Sequence, residues 1–446
     1  MKGRKHRGLS LGTVTMLLLT AAVLAGFCLL LPSFTGSKDI LIDAAELVVA
    51  IDNSFSQFSS SAGDLFPTAA RPSPSAPQLV LATATPAPAA SQPTAPPVTP
   101  VPQKSFSFCA AGNIVLNSRT VSELSDGKVY RFDILTDQIT GLLEADLSIA
   151  TLENLVMDSA KVSNLNMPSQ LLSAIRSAGV NTLSLAHTDV FGSGLSGALE
   201  TRSAIEEAGM SAFGVFRSES ERSKPEIQTI SGVKVALLSY MDDGVLASRR
   251  KLSKEEQAFA YAPADPAAIM ADLEAARTAG AEVCVVFLCW GKEGSAAPTD
   301  EQTALAQQLA DAGADIILGS HSGVLQPVQM LSADRGDGKY HPVLCAYSLG
   351  NLFSHDRNYR TSLASILLKT EVVYDSASGC VAFDGLNWTP MYAWRGTDEG
   401  KTRQRILIND PDVFPAFVDA KQQGVMQRCT TLVNEVMDGT GISKAP

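Results

Sequence analysis

The chain has 446 residues, 45% of them hydrophobic, and a formal net charge of -11. That length supports one large domain or two ordinary ones with a sizeable buried core. The acidity excludes the nucleic-acid-binding class, because phosphate contacts need a basic surface.

The first residues depart from this balance. Lys2, Arg4, Lys5, His6 and Arg7 form a basic patch, and an apolar, charge-free run follows from Leu11 to Leu31, before Pro32. About 20 helical residues span the hydrocarbon core of a bilayer. The run reads either as a cleaved signal peptide or as an uncleaved anchor. It is longer than a usual signal-peptide apolar region, and no A-x-A cleavage site follows it, which favours the anchor. Residues 1–10 are then a cytoplasmic tail and 11–31 a transmembrane signal-anchor helix. The rest is extracytoplasmic, as in a single-pass protein of the cell membrane.

Residues 32–66 form a juxtamembrane segment, within which Asp39 to Phe58 mixes apolar and acidic residues at roughly helical spacing. From Pro67 to Pro102 the composition turns to Pro, Ala, Thr, Ser and Gln, with Arg71 as its charge. Such a stretch buries no core and stays extended, so 67–104 reads as a stalk.

Beyond it, apolar runs alternate with helical patterns. Strands are expected at Ser105–Ala111, Asp146–Thr151, Asn181–Ala186, Val233–Tyr240, Val283–Trp290, Asp315–Leu318, Val324–Met330, Val343–Ser348 and Leu363–Val373. Helices are expected at Phe132–Leu143, Ser169–Ala178, Leu195–Ala208, Asp265–Ala279 and Thr299–Ala312. This alternation predicts one α/β domain over 105–397 with mixed sheets covered by helices, followed by a helical segment over 398–446 whose helix runs from about Asp410 to Asp438. Cys109, Cys284, Cys289, Cys345, Cys380 and Cys429 follow the anchor. Several sit in apolar strand-like runs and read as buried free thiols, although an oxidising exterior permits disulfides.

Ligands of α/β sheets gather at the C-terminal ends of strands. The residues there are Asn113, Glu153-Asn154, His187-Thr188-Asp189, Cys289-Trp290-Gly291 and Gly319-Ser320-His321. Two of the five histidines lie in this set, which suggests a site that could hold a metal.

These strand-end motifs resemble those of the bacterial poly-γ-glutamate capsule-synthesis (CapA-like) family, whose fold is similar to calcineurin-like metallophosphatases. The resemblance covers about Phe106 to Trp394. It rests on Phe108–Asn113, on Ala145-Asp146-Leu147 with Thr151-Leu152-Glu153-Asn154, and on Gly179–Asp189. It continues through Phe287–Glu293, Asp311–Pro327 and Tyr347-Ser-Leu-Gly-Asn351. The resemblance implies a four-layer α/β/β/α sandwich with two mixed sheets and a divalent-metal centre of zinc, manganese or iron.

The departures fall on the ligands. Asn113 stands where the family has Asp. Thr188-Asp189 replaces an Asn-His pair, with His187 displaced, Cys289 stands for a His, and Gly323 for another. Glu153 and His321 survive. A dinuclear hydrolase holds two cations about 3.5–4 Å apart and needs most of its ligands. The candidate metal residues are therefore Glu153 and His321, then Asn113, His187, Asp189 and Cys289, with Asn154, Trp290, Glu293 and Asn351 lining the cleft. A single tetrahedral zinc on His187, Asp189, Cys289 and His321 is one alternative, and a Cys289–His nucleophilic pair is another. Asp242-Asp243-Gly244 reads as a cation site or, more simply, as a turn.

Two functions follow. The first is a membrane-anchored member of the capsule-synthesis family with a degenerate metal centre, meeting an anionic cell-surface polymer or capsule-assembly proteins. The second is a divergent metal-dependent hydrolase acting on phosphoester or glutamyl-polymer substrates.

Overall fold

A computed structural model describes residues 103–355 and 360–445. The expected tail, the anchor at 11–31, the juxtamembrane segment and all but the end of the stalk lie outside the described residues. No described helix is long and apolar enough to cross a membrane.

The main elements of the first half are β1 (Lys104–Val115), β2 (Leu147–Leu152), α1 (Gln170–Ser177), β3 (Thr182–Ser184), α2 (Gly194–Glu207), β4 (Ser211–Phe213), β5 (Ile227–Ile230) and β6 (Val233–Met241). The chain continues with α3 (Pro266–Thr278), β7 (Val283–Cys289), α4 (Asp300–Asp311), β8 (Ile316–Ser320), β9 (Val328–Ala333) and β10 (His341–Ala346). It ends with β11 (Asn351–Ser354), β12 (Ala364–Asp375), β13 (Cys380–Asp398), β14 (Lys401–Ile408), α5 (Ala420–Met437) and β15 (Ser443–Lys444). The first sheet runs β14-β13-β12-β1-β2-β3-β4, with β11 beside the end of β1 and β15 beside β13. The second runs β9-β10-β8-β7-β6-β5. Both are mixed: β1 to β4 are mutually parallel and β12 is antiparallel to β1, while β6, β7, β8 and β10 are parallel between antiparallel edges.

Strand β7, Val-Cys-Val-Val-Phe-Leu-Cys, is buried at every position, as a central parallel strand covered on both faces should be. Its alternation divides the core. Val283, Val285 and Phe287 face the first sheet, where Phe287 meets Phe213 edge-on at 5.8 Å. Cys284, Val286 and Leu288 face the other way, onto Ile269 and Leu273 of α3 and Ala306 and Leu309 of α4. Leu171 and Ile175 of α1 and Ala198 and Ile205 of α2 belong to the core of the first sheet.

Local chemistry sets the helix bounds. Asp265 caps α3 with Pro266 in its first turn and Gly280 past its end, and Thr299 and Gln302 form a capping box on α4.

Three expectations are corrected. Phe132–Leu143 is helical only at Asp133–Thr136; Gly141 then takes a left-handed φ of 70°, and the turn lays Ile139 and Leu143 into the core. The strand expected from Val324 begins at Val328, because Val324–Gln326 follow a tight turn at Ser322. The C-terminal segment is not helical throughout, since Lys401–Ile408 pairs with β13 before α5 begins. Among the described residues all six cysteines are free.

Candidate functional site

The parallel strands of each sheet end on one edge, and the two edges are joined. The segment from Tyr347 to Asn351 leaves β10 in the second sheet and enters β11, where Asn351 is the register partner of Asn113 on β1. The Asn351 amide Nδ2 donates to the carbonyls of Gly323 (2.9 Å) and Ser362 (3.2 Å), fastening β11 to the turn after β8. Glycines allow this crossing. A methyl on Gly112 would overlap the Gly350 carbonyl, and one on Gly319 would overlap the Tyr347 carbonyl and the Trp290 indole nitrogen.

Glu153 follows β2. Burial, then the charges of Asp189 and Glu293, push its carboxyl up from 4.5 to about 7. Cys289 ends β7, and burial followed by the Glu153 charge drives its thiol far up, the opposite of what a nucleophile needs. His187 is buried, and burial lowers its pKa to about 3, so the ring is neutral. Its Nδ1 accepts the Asp189 N–H at 3.3 Å, which leaves the proton on Nε2, buried without a partner. His321 follows β8 at φ 91°, a left-handed conformation that costs a non-glycine residue about 1–3 kcal/mol. Burial lowers its pKa against the pull of Glu293 and Asp242. Glu153, Asp189, Asp242, Cys289, Glu293 and His321 thus sense one another across the two sheets.

Other residues expected here have structural work. The Asn154 amide exchanges hydrogen bonds with Leu116, accepting at 2.8 Å and donating at 3.0 Å, and ties the loops after β1 and β2. Trp290 donates to the Tyr347 carbonyl at 3.1 Å and stacks on the Tyr347 ring. Asp242 accepts from the Gly244 N–H at 2.7 Å and Asp243 pairs with Arg249, so the Asp-Asp-Gly motif is a turn. Asp242 still faces the site. Its place directly after β6 is the signal that singles it out, the same strand-end rule that finds Glu153. Beside it opens a cavity of about 410 Å3, with Trp290, Lys292, Glu301 and Leu305 in its wall; Glu301 and Lys292 carry no motif in the sequence.

Among the described residues, no three His, Cys, Asp or Glu side chains are grouped to hold a metal ion. His187, Asp189, Cys289 and His321 form no such group. What the arrangement offers is a raised carboxyl, neutral imidazoles and a row of unpaired carboxylates.

The raised carboxyl makes a prediction. Between about pH 4.5 and 7 the folded chain keeps a proton on Glu153 that the unfolded chain releases, so this group lowers stability as pH rises through that window. Glu153→Gln is expected to stabilise the chain at pH 8 by up to about 3 kcal/mol and to change little at pH 4.5. Denaturant midpoints at the two pH values check this, and equal shifts at both would refute it.

The model of the family described as bacterial capsule synthesis protein PGA_cap matches residues 107–356. The capsule biosynthesis protein CapA of Bacillus anthracis is 27% identical over 237 residues, 52% of this chain and 54% of that protein. The PGA biosynthesis protein CapA of Bacillus subtilis (strain 168) is 27% identical over 210 residues, 47% of this chain and 51% of that one. The match thus spans about half the length of each relative. Among solved structures, the calcineurin-like phosphoesterase YfkN from Bacillus subtilis is 13% identical with a TM-score of 0.36, over 75% of this chain and 99% of that chain. The NAD nucleotidase NadN of Haemophilus influenzae is 11% identical with a TM-score of 0.39, over 75% of this chain and 61% of that one.

Proposed function

Because this chain belongs to the bacterial capsule synthesis protein family, we propose that it serves the synthesis or assembly of a capsule or cell-surface polymer, of which poly-γ-glutamate is the type its relatives' names suggest. In this reading the apolar run at 11–31 anchors it in the cell membrane and the α/β domain works outside the cell. The metal centre is degenerate, and the strand-end cleft is a binding surface for polymer or for an assembly partner. The observation that carries the reading is a mismatch. The family's strand-end segments persist in order, while Asn113, Asp189 and Cys289 replace expected ligands and no three donors group together among the described residues.

The test is complementation of a deletion strain, reading surface polymer. The full chain is expected to restore it, and Glu153→Ala with His321→Ala to reduce it severalfold at equal protein level. A deletion strain that keeps its full polymer overturns the capsule role. Undiminished polymer in the double variant overturns the cleft's part in it.

One observation favours a second reading, a divergent hydrolase of phosphoester or glutamyl-polymer substrates: the Glu153 carboxyl near 7 is poised to exchange a proton at neutral pH. Hydrolysis of p-nitrophenyl phosphate or poly-γ-glutamate by the purified chain, abolished in Glu153→Gln, would put this reading first.

A further inference from the structure

We propose that the segment 291–298 is a lid over the strand-end cleft, that Gln326 is its latch, and that a ligand enters the cleft when the lid lifts. The inference rests on the reading of the cleft as a binding surface and names the device that controls entry to it.

The first observation is where the segment lies. It begins after Trp290, just past β7, and ends where Thr299 caps α4. The Gly294 N–H donates to the Ser322 carbonyl at 2.8 Å, so the segment crosses the turn that carries His321. Glu293 acts electrostatically on His321 from the second sheet and on Glu153 from the first, which sets the segment across both sets of strand ends. Cys289 lies at the same strand ends, 1% exposed, in the field of Glu153 and Asp242.

The second observation is how little packing holds it. Its residues are Gly, Lys, Glu, Gly, Ser, Ala, Ala and Pro, so it buries no large apolar side chain. Lys292, Glu293, Gly294, Ala296 and Ala297 are exposed. A segment with so few buried apolar contacts opens locally, at a cost well below that of unfolding the domain. Gly291 and Gly294 sit at φ 82° and 74°, and such glycines give the segment two points where the backbone turns freely.

The third is the latch. Gln326 is 0% exposed, and its amide Nε2 donates to two carbonyls of the segment, Ser295 at 3.0 Å and Ala297 at 3.1 Å. Its Oε1 accepts from the Gln302 Nε2 at 3.3 Å, and the Gln302 Oε1 accepts the Thr299 N–H at 3.0 Å. The Gln326 backbone N–H donates to the Ser348 carbonyl at 3.0 Å, which roots the latch in the seam between the sheets. Burying an amide costs desolvation that only its hydrogen bonds return. Here both bonds of the Nε2 go to a loop that its own side chains do not hold down.

The experiment is timed alkylation of the reduced, purified full chain with N-ethylmaleimide, read thiol by thiol by peptide mass spectrometry. Cys284 and Cys289 lie on one strand and are both buried, but Cys289 alone of the two is at the cleft. Lifting the lid exposes Cys289, whereas Cys284 waits for the domain to unfold, so Cys289 is expected to react about 10-fold faster or more. Gln326→Met keeps the volume and removes the latch; it is expected to speed Cys289 about 5-fold and to leave Cys284 within about 2-fold. Gly294→Ala strains the closed loop at a position where a methyl meets nothing, and is expected to speed Cys289 about 3-fold or more. Equal rates for the two thiols in the unaltered chain overturn the proposal. So does a Cys289 rate unchanged in both variants. If Gln326→Met speeds both thiols together, the whole fold has loosened and Gly294→Ala decides: no rise at Cys289 there overturns the lid. Failure here is distinguishable from failure of the capsule reading, because the thiol rates are read without polymer. Equal thiol rates with polymer lost on deletion remove only the lid. A lid that lifts in a chain whose deletion leaves full polymer removes only the capsule role.

Discussion

Replacing Asp315 by Ala is expected to lower the unfolding free energy by about 4 kcal/mol. The residue precedes β8 and is 1% exposed. Its carboxylate accepts from Arg277 at 2.6 Å, from Arg335 at 3.1 Å and from the Cys284 backbone N–H at 2.8 Å. Removing it strands two guanidinium groups that are largely withdrawn from water, and it orphans an amide in the central strand. Each loss alone costs on the order of 1–3 kcal/mol. Arg277 also holds the carbonyls of Gly313, Ala281 and Glu282, so the carboxylate anchors the ends of both helices of the outer layer to β7 and β8. Asp315→Asn, which keeps an acceptor for the amide, should lose about half as much. Chemical denaturation read by circular dichroism measures both. A loss under about 1 kcal/mol in the Ala variant would show that the arginines find other partners.

Gly319→Ala is expected to cost about 3 kcal/mol, at the upper end of ordinary overpacking. The added methyl would meet the Tyr347 carbonyl and the Trp290 indole nitrogen, the two groups joined by the 3.1 Å hydrogen bond. Backbone cannot yield as a side-chain tip does, so the segment Tyr347–Asn351 must shift, and with it the seam between the sheets. Gly424→Ala is the control. It lies within α5, where a Cβ meets only the end of Arg428, and should be neutral or stabilising by up to about 1 kcal/mol. A Gly319→Ala protein with an unchanged melting curve would mean that the crossing has slack.

How much of this was legible depended on what each residue answers to. The fully apolar run Val283–Cys289 and the capped helices from Asp265 and Thr299 were readable because burial on two faces and capping are local patterns. Residues 401–408 were not. Arg403 and Arg405 break the apolar alternation of a strand because they answer carboxylates far away in sequence, Asp126 for one and Asp137 for the other. Their neighbour on β13, Arg395, pairs with Glu123. Burial raises the Glu123 carboxyl, but hydrogen bonds from Arg395, Arg119 and Gln404 outweigh it and bring it down to about 2. No window of sequence contains both halves of such a pair.

The candidate site divides the same way. The sequence by itself determined the α/β alternation, the family, and the set of strand-end residues, since the chain direction of parallel strands already puts Asn113, Glu153, His187, Cys289 and His321 on common edges. Only the tertiary structure decided what those residues are able to do. Hydrogen bonding turned Asn154 and Trp290 into ties. Burial made Cys289 a neutral thiol and His187 a neutral ring. The approach of two sheets brought carboxylates from both into one field, with no ion pair among the described residues to answer them. Identity and order are written along the chain, but charge state and partnership depend on dielectric and distance, which exist only once the sheets have packed.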